Sequence, residues 1–208
     1  MLGLNPAILP YLAVALIVAA TVHEFAHAYV ADRLGDPTPR GMGRLTLNPL
    51  AHLDPIGSLM ILLVGFGWAK PVQINPANFA DWRRDSILVA LAGPLANVTL
   101  VFLLGLPFKL ELVDTGSGVL FGLLGWGLQI NAMLAVFNLI PIPPLDGSKV
   151  LVGLLPGNLA ISYARVERFG FLILLALIFT RALPAIVIPP MRWLIAQATG
   201  SFGIGLFF

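Results

Sequence analysis

Long apolar runs, separated by short stretches rich in proline, glycine and charge, dominate the chain. The first run extends from about Pro10 to about Ala31, and Gly35 and Pro37 then end the predicted helix. A helix of this length, at about 1.5 Å per residue, is roughly 33 Å long and crosses a bilayer. The runs from Ser86 to Pro107 and from Val119 to about Ile140 predict two further spans, and glycines in the third span predict close helix contacts.

Residues 38 to 84 follow a different pattern, because proline and glycine interrupt them every few positions. Only Ile56 to Trp68 is continuously apolar, and that run is too short to span as a helix. The pattern predicts a re-entrant or interfacial segment with extended pieces such as Pro71 to Ile74. Irregular backbone at membrane depth requires protein or a water-filled cavity around it.

The C-terminal part leaves one question open. Phe169 to Thr180 begins another apolar run, but Arg181 and Pro184 interrupt it, so residues 169 to 208 contain either one span or two. The predicted fold is an all-α polytopic membrane protein in a single domain over residues 1 to 208. It has a three-helix core, a re-entrant or extended hairpin segment and one or two C-terminal helices.

Composition supports the membrane assignment. The chain is 58% hydrophobic and 11% charged, which excludes a water-soluble domain of this size. Its net charge of +2 comes from scattered basic residues, so nucleic acid is not expected as a partner. The first residues lack a basic n-region and a cleavage site, so the first run is expected to be kept as a helix. No cysteine is present, so any metal must be bound by histidine and carboxylate.

The chemistry concentrates in the pentapeptide HEFAH, from His23 to His27, near the C-terminal end of the first run. Residues four apart lie on one face of a helix, so both imidazoles can bind a single ion. This is the H-E-x-x-H pattern, in which two histidines bind Zn²⁺ and the glutamate, here Glu24, handles a proton of water. Ionisable groups inside an apolar span are functional candidates. The alternative is a histidine pair that packs or caps at a helix end.

A catalytic zinc site needs a third protein ligand. The candidates are His52, the seven aspartates and the two remaining glutamates. Most of these lie in charged loops, whereas Asp146 follows the third apolar span directly. Its alternative role is to cap a helix from Gly147 to Leu155, and spacing alone does not decide between the two.

The distribution of basic residues bears on this choice. Nine of the twelve Lys and Arg residues lie in the segment that joins the first two spans or in the segment that directly follows the third, up to residue 168: Arg33, Arg40, Arg44, Lys70, Arg83, Arg84, Lys149, Arg165 and Arg168. The positive-inside rule predicts that these segments face the cytoplasm and that the N-terminus faces outward. The end of the first span and the start of the segment after the third then lie on one side, where Asp146 can meet His27.

Five motifs together resemble the site-2 protease family of intramembrane zinc metalloproteases. They are HEFAH at 23–27, NPLAHLDPIG at 48–57, GWAKPV at 67–72, AGPLAN at 92–97, and the stretch from Asn138 to the LDG at 145–147. The resemblance covers about residues 8 to 155, the expected catalytic core, and residues 156 to 208 are a C-terminal helical region. The chain departs from better-known members because it shows no PDZ-like insert between the second and third spans and no CBS domain after residue 170.

The resemblance implies one Zn²⁺ per chain, bound by His23, His27 and Asp146, with Glu24 as the catalytic glutamate. Asn138 matches an asparagine that binds the substrate backbone; its alternative is a hydrogen bond within its own helix. The broken segment matches a membrane-embedded hairpin that presents an extended substrate strand.

Two further residues fall at positions that resemble the family's motifs. His52 and Asn97 are expected to support the site, although His52 can also be a turn histidine that bonds nearby backbone.

The expected activity is hydrolysis of peptide bonds in or near transmembrane segments of other membrane proteins. The expected protein is an integral multi-pass protein of a prokaryotic plasma membrane, with transmembrane protein substrates and a lipid environment. The positive-inside rule predicts that its site faces the cytoplasm. One alternative is a metal-binding or transport protein, since intramembrane histidine and aspartate also mark ion paths. Another is a catalytically inactive adaptor on the same fold.

Overall fold

A computed structural model describes residues 6–54, 56–57, 69–113 and 118–200, and all regular elements in these ranges are helical. The chain begins with α1 (Leu9–Arg33) and the single-turn α2 (Thr38–Gly41), followed by α3 (Trp82–Lys109) and α4 (Val119–Asn138). Helices α1, α3 and α4 are each long and apolar enough to cross a membrane. The chain is therefore an all-α polytopic membrane protein, as its hydrophobic pattern predicts.

Four shorter helices follow α4 in the described part of the chain. They are α5 (Asp146–Leu154), α6 (Gly157–Ala164), α7 (Glu167–Phe179) and α8 (Ala182–Thr199). Helices α7 and α8 meet at an angle of 82°, and Arg181 at the break has a left-handed backbone with φ of 57°. The C-terminal part of the described chain thus contains a bent helix pair, which is either one broken span or a re-entrant loop.

Helix α3 begins four residues earlier than the predicted Ser86, and a side-chain cap explains the difference. The carboxylate of Asp81 accepts hydrogen bonds from the backbone N–H groups of Arg83 and Arg84, at 3.0 and 3.1 Å. This cap satisfies two N–H groups that no helical carbonyl can reach. The first turn therefore belongs to α3, although its polar residues are not part of the apolar run that predicts the span.

Helices α1, α3 and α4 pack against one another through small residues. Ala15 and Ala19 of α1 lie against Ile130 of α4 in one buried cluster. A Cβ atom at Gly122 would lie 2.9 Å from the ring of Tyr11, so glycine permits this approach of α4 to α1, as its position in the third span predicts. Large apolar side chains on the outer faces, such as Leu103 at 61% exposure, remain available to lipid.

Two sets of contacts hold the segment between α1 and α3 in place. In the first set, the N–H of Lys70 donates to the carbonyl of His52 at 2.8 Å, and Leu53 and Ala69 form an isolated antiparallel bridge. These contacts join residues 52–53 to residues 69–70. Residues 58–68, which include most of the predicted re-entrant run, lie outside the described residues.

Buried Asp36 makes the second set of contacts, with residues 75–78. Its carboxylate accepts hydrogen bonds from the N–H of Asn75 at 2.8 Å, from the side chain of Asn78 at 2.7 Å, and from Thr38. Burial favours the neutral acid, but these hydrogen bonds outweigh it and hold the pKa of Asp36 below its usual range. The charged carboxylate therefore attaches residues 75–78 to the end of α1.

Between these two sets of contacts, residues 71–75 have no regular secondary structure, and Asn75 has the backbone angles of a strand (φ −109°, ψ 98°). Residues 71–75 are called the extended segment below, after the prediction for Pro71 to Ile74. Exposure alternates along them, since Pro71 and Gln73 are exposed whereas Val72 and Ile74 are half-buried. This alternation is typical of a strand with one face on the protein. The extended segment lies next to the C-terminal half of α1, where the HEFAH motif is located.

Candidate metal centre

Three buried side chains converge where α1 meets the start of α5. The Nε2 atoms of His23 and His27 are each 3.1 Å from the same carboxylate oxygen, Oδ2, of Asp146. The two Nε2 atoms are 3.0 Å from each other. A tetrahedral zinc ion with bonds of about 2.0–2.1 Å separates its ligand atoms by about 3.3 Å, close to these edges. The three residues form a group that can hold a metal ion.

The hydrogen bonds at the far side of each ring show why a cation fits here. His27 Nδ1 lies 2.7 Å from the carbonyl oxygen of Val89, which can only accept, so Nδ1 carries a proton. His23 Nδ1 lies 2.6 Å from the side-chain oxygen of Asn97 and donates in the same way. In neutral rings both Nε2 atoms then direct lone pairs at the carboxylate oxygen. A proton can lie between only two of these three atoms, whereas a metal ion binds all three.

Asn97 is the residue of the AGPLAN motif that reaches the centre. It is fully buried, and its Oδ1 accepts from His23 while its Nδ2 donates to the carbonyl of Ala19 at 3.1 Å. A polar group that holds a ligand histidine from behind fixes the ring orientation. The structure thus brings Asn97 into hydrogen-bond contact with His23, and its role in supporting a metal site stays a prediction.

Gly93, in the same motif, permits α3 to lie directly against the two imidazoles. A Cβ atom built at this position would be 2.4 Å from His27 Nε2 and 2.6 Å from His23 Nε2. Contacts under 3.0 Å are essentially never seen for real Cβ atoms, so either the rings or the helices must move. The absence of a side chain at residue 93 is therefore a requirement of this geometry.

The substitution Gly93→Ala is expected to weaken zinc binding at least about tenfold, because the new methyl group displaces both Nε2 atoms. Competition with a chromogenic chelator measures this change in the purified protein. Gly41→Ala is the matched control, since a Cβ atom there meets nothing within 4 Å. Wild-type zinc affinity in Gly93→Ala would contradict the close approach of α3.

Asp146 is the first residue of α5, and its side chain points to the imidazoles rather than capping the helix. The capping position is occupied by Leu145, and no side chain makes a cap hydrogen bond. The structure therefore does not support the capping alternative. A Cβ atom at Gly147 would be 2.3 Å from the carbonyl oxygen of Leu139, so glycine lets the start of α5 fold back onto the end of α4.

The charge of Asp146 suits a metal ligand. Burial raises its pKa, but contacts with His23 and His27 and the nearby charge of Lys149 outweigh that effect and hold the pKa well below its usual range. The Nζ atom of Lys149 is 3.1 Å from the second oxygen, Oδ1. Asp146 thus offers a carboxylate with one oxygen toward the histidines and the other toward an ammonium group.

Glu24 lies half-buried beside the centre and contacts the extended segment. Its Oε2 atom accepts a hydrogen bond of 2.9 Å from the backbone N–H of Val72. The side chain that the H-E-x-x-H pattern assigns to proton transfer is therefore held by residue 72, in the part of the chain predicted to present a substrate strand.

The other candidates lie outside this group. The side-chain nitrogen of Asn138 donates to the carbonyl of Leu134 in its own helix at 3.0 Å, which is the geometry of its alternative role. His52 is fully buried, and its Nε2 donates to the carbonyl of Thr46 at 2.8 Å. His52 thus makes the backbone contact expected of a turn histidine, next to the bridge between Leu53 and Ala69.

One polar residue at the centre escaped sequence analysis. Asn131 of α4 is 1% exposed, and its Oδ1 accepts from the side chain of Asn97 at 2.8 Å. A signal was available, because Asn131 is a polar residue within an apolar span, and such residues are often functional.

Comparison with known proteins agrees with this arrangement. The model of Peptidase family M50 matches residues 111–180. A protein of Bacillus subtilis (strain 168), named "Putative zinc metalloprotease YwhC", is 40% identical over 191 residues, which cover 89% of this chain and 87% of the relative. The chain belongs to Peptidase family M50. This is the site-2 protease family that the motifs resemble.

Other M50 relatives extend the similarity. A Mycolicibacterium smegmatis protein named "Putative zinc metalloprotease Rip2" is 38% identical over 176 residues, 80% of this chain and 66% of that protein. A Methanocaldococcus jannaschii protein named "Putative zinc metalloprotease MJ0611" is 48% identical over 96 residues, 46% of this chain and 49% of that protein. No solved structure matches the chain significantly.

Proposed function

We propose that this M50 protein hydrolyses peptide bonds in or near the transmembrane segments of other membrane proteins. The observation that supports the proposal most strongly is the triangle of His23, His27 and Asp146, which is buried at the junction of a membrane-spanning helix and α5. Glu24 lies next to His23 in sequence and supplies a carboxylate to the same region. These residues are the parts that a zinc peptidase needs.

In this proposal His23, His27 and Asp146 bind the ion, and each has a partner that fixes its orientation. A zinc ion held there would act as a Lewis acid toward the scissile carbonyl and toward water. The carboxylate of Glu24 accepts a proton from the water molecule that attacks the carbonyl carbon, and donates it to the amine nitrogen as the C–N bond breaks. The buried position of the three ligands limits access of bulk water.

The extended segment 71–75 is the proposed site of substrate alignment. A transmembrane helix keeps its peptide carbonyls in internal hydrogen bonds, so the substrate must unwind before attack. An unwound substrate strand can pair with the extended segment at exposed Gln73. Hydrogen bonds made by this pairing replace those that the substrate loses when its helix unwinds. Because Val72 already contacts Glu24, pairing there places the substrate backbone beside the proposed base. Asn138 is proposed as a further contact to the substrate backbone.

The proposed orientation puts this centre toward the cytoplasm. The end of α1 and the start of α5, which carry the three ligands, adjoin the segments that hold most of the Lys and Arg residues. Such segments remain on the cytoplasmic side in multi-pass proteins. The proposed location is the plasma membrane of a prokaryote, with water reaching the centre from the cytoplasm.

A digestion of solubilised membrane proteins tests the proposal. The purified wild-type protein is added to a detergent extract of bacterial membranes, with chelator or with chelator and restored zinc, and new N-termini are mapped by mass spectrometry. The expected result is zinc-dependent cuts clustered in or beside transmembrane segments. Zinc-dependent cuts spread through soluble domains, or no such cuts, would contradict it. Zinc flux into vesicles without cleavage would instead support the transport alternative.

A further inference from the structure

A series of hydrogen bonds between side chains connects the three long helices with the metal centre. It runs from His23 of α1 to Asn97 of α3 at 2.6 Å, and from Asn97 to Asn131 of α4 at 2.8 Å. Asn97 is 0% exposed and Asn131 is 1% exposed, so water does not compete for these bonds. Asn131 lies at the end of this series farthest from the metal, and any role for it in zinc binding rests on the zinc centre of the proposed function.

Backbone carbonyls determine which group donates in each hydrogen bond of this series. The side-chain nitrogen of Asn131 donates to the carbonyl of Gly127 at 2.8 Å, and a carbonyl can only accept. The oxygen of Asn131 must then face Asn97, whose nitrogen donates to it and to the carbonyl of Ala19. The oxygen of Asn97 is consequently directed at His23 Nδ1, which must carry the proton.

We propose that Asn131 is a positioning residue for zinc binding, acting through Asn97 on His23. The Nδ2 group of Asn97 has two protons, and the carbonyl of Ala19 accepts only one of them. Without the oxygen of Asn131, the second proton is left without a partner in an apolar interior, and the amide of Asn97 rotates or withdraws. The Nδ1 proton of His23 then loses its acceptor, and His23 Nε2 is no longer oriented toward the ion.

Three substitutions at residue 131 separate this role from simple packing. Asn131→Leu keeps the branching at Cγ and an apolar interior but removes the acceptor, and its side chain is larger than that of asparagine. Asn131→Asp, which stays protonated in this buried position, keeps an oxygen for Asn97 and an O–H for the carbonyl of Gly127. Asn131→Ser places a hydroxyl within reach of its own helix but not of Asn97, and it serves as a smaller substitution if the leucine variant does not fold.

Zinc affinity of the purified full-length protein, from chelator competition, is the first measurement. Asn131→Leu and Asn131→Ser are expected to bind zinc about 10- to 100-fold more weakly than wild type, and Asn131→Asp within about threefold of it. Thr99→Val is the matched control, because Thr99 is exposed and its hydroxyl donates to the carbonyl of Leu95 in its own helix. It should leave the affinity unchanged.

The second measurement observes His23 directly. The chain has three histidines, so NMR of zinc-loaded protein with ¹⁵N-labelled histidine gives few ring N–H signals, and the one lost in Asn97→Leu belongs to His23. In Asn131→Leu or Asn131→Ser this signal should move upfield and exchange faster, whereas the His27 signal stays in place.

The outcomes separate failure of this proposal from failure of the zinc centre. Wild-type affinity and an unchanged His23 signal in Asn131→Leu or Asn131→Ser would overturn the role of Asn131 alone. Equal losses in Asn131→Leu and Asn131→Asp would overturn it too, since those losses would reflect packing. A wild-type protein that binds no zinc would instead contradict the zinc centre and the proposed function.

Discussion

Glu24→Gln is expected to abolish peptide hydrolysis while leaving zinc bound. General acid–base groups contribute about 10²- to 10⁴-fold to rate, and a glutamine at this position cannot accept the proton of water. The side-chain oxygen of glutamine can still accept the hydrogen bond from the N–H of Val72, now at 2.9 Å from Glu24. The variant should therefore keep the extended segment and the metal ligands in place and lose only proton transfer.

The measurement is the yield of zinc-dependent N-termini from the membrane extract, together with zinc content by mass spectrometry. Glu167→Gln is the matched control, because Glu167 is an exposed residue in the first turn of α7. It should retain full activity and zinc. Substantial cleavage by Glu24→Gln would remove Glu24 as the base, and loss of zinc from this variant would mean that Glu24 serves the metal instead.

Asp146→Asn is expected to lower zinc affinity at least about a hundredfold and to remove activity at the zinc concentrations that saturate wild type. Carboxylate oxygen is an established zinc ligand, whereas a neutral amide is a weak one. The change also leaves Lys149 without its charged partner at 3.1 Å. The amide has nearly the same shape as the carboxylate, so α5 should remain packed on α3.

Metal content after dialysis and chelator competition measure this loss. Asp32→Asn is the matched control, because the carboxylate of Asp32 accepts two hydrogen bonds from Arg40 and contacts none of the three proposed ligands in the described structure. Unchanged zinc stoichiometry in Asp146→Asn would show that the two histidines bind zinc with some other third ligand.

The positions of the spans followed from the hydrophobic pattern, but their ends did not. Hydropathy found the cores of α1, α3 and α4, because lipid requires long apolar helices. The hydropathy pattern predicts that α3 starts at Ser86, because the first turn, which Asp81 caps, is polar. It also predicts that the third span continues to about Ile140, whereas α4 ends at Asn138. Caps depend on one side chain and its backbone neighbours, which an average over apolar residues does not detect.

Local spacing predicts two of the three proposed metal ligands, whereas the third depends on how distant parts of the chain pack. His23 and His27 are four positions apart on one helix, so helical geometry alone predicts that they share a face. Asp146 lies 119 positions after His27, and only the packing of α5 against α3 decides between a ligand and a cap. Asn131 acts through a partner on another helix, and no spacing along the chain connects it with His23.

X-ray absorption at the zinc edge of the purified protein tests the central claim most directly. We predict one zinc per chain in a first shell of nitrogen and oxygen at about 2.0–2.2 Å, with outer-shell scattering from two imidazole rings. The signature of two imidazoles should be lost in His23→Ala and in His27→Ala. A protein without stoichiometric zinc, or a zinc shell that those substitutions leave unchanged, would contradict the account.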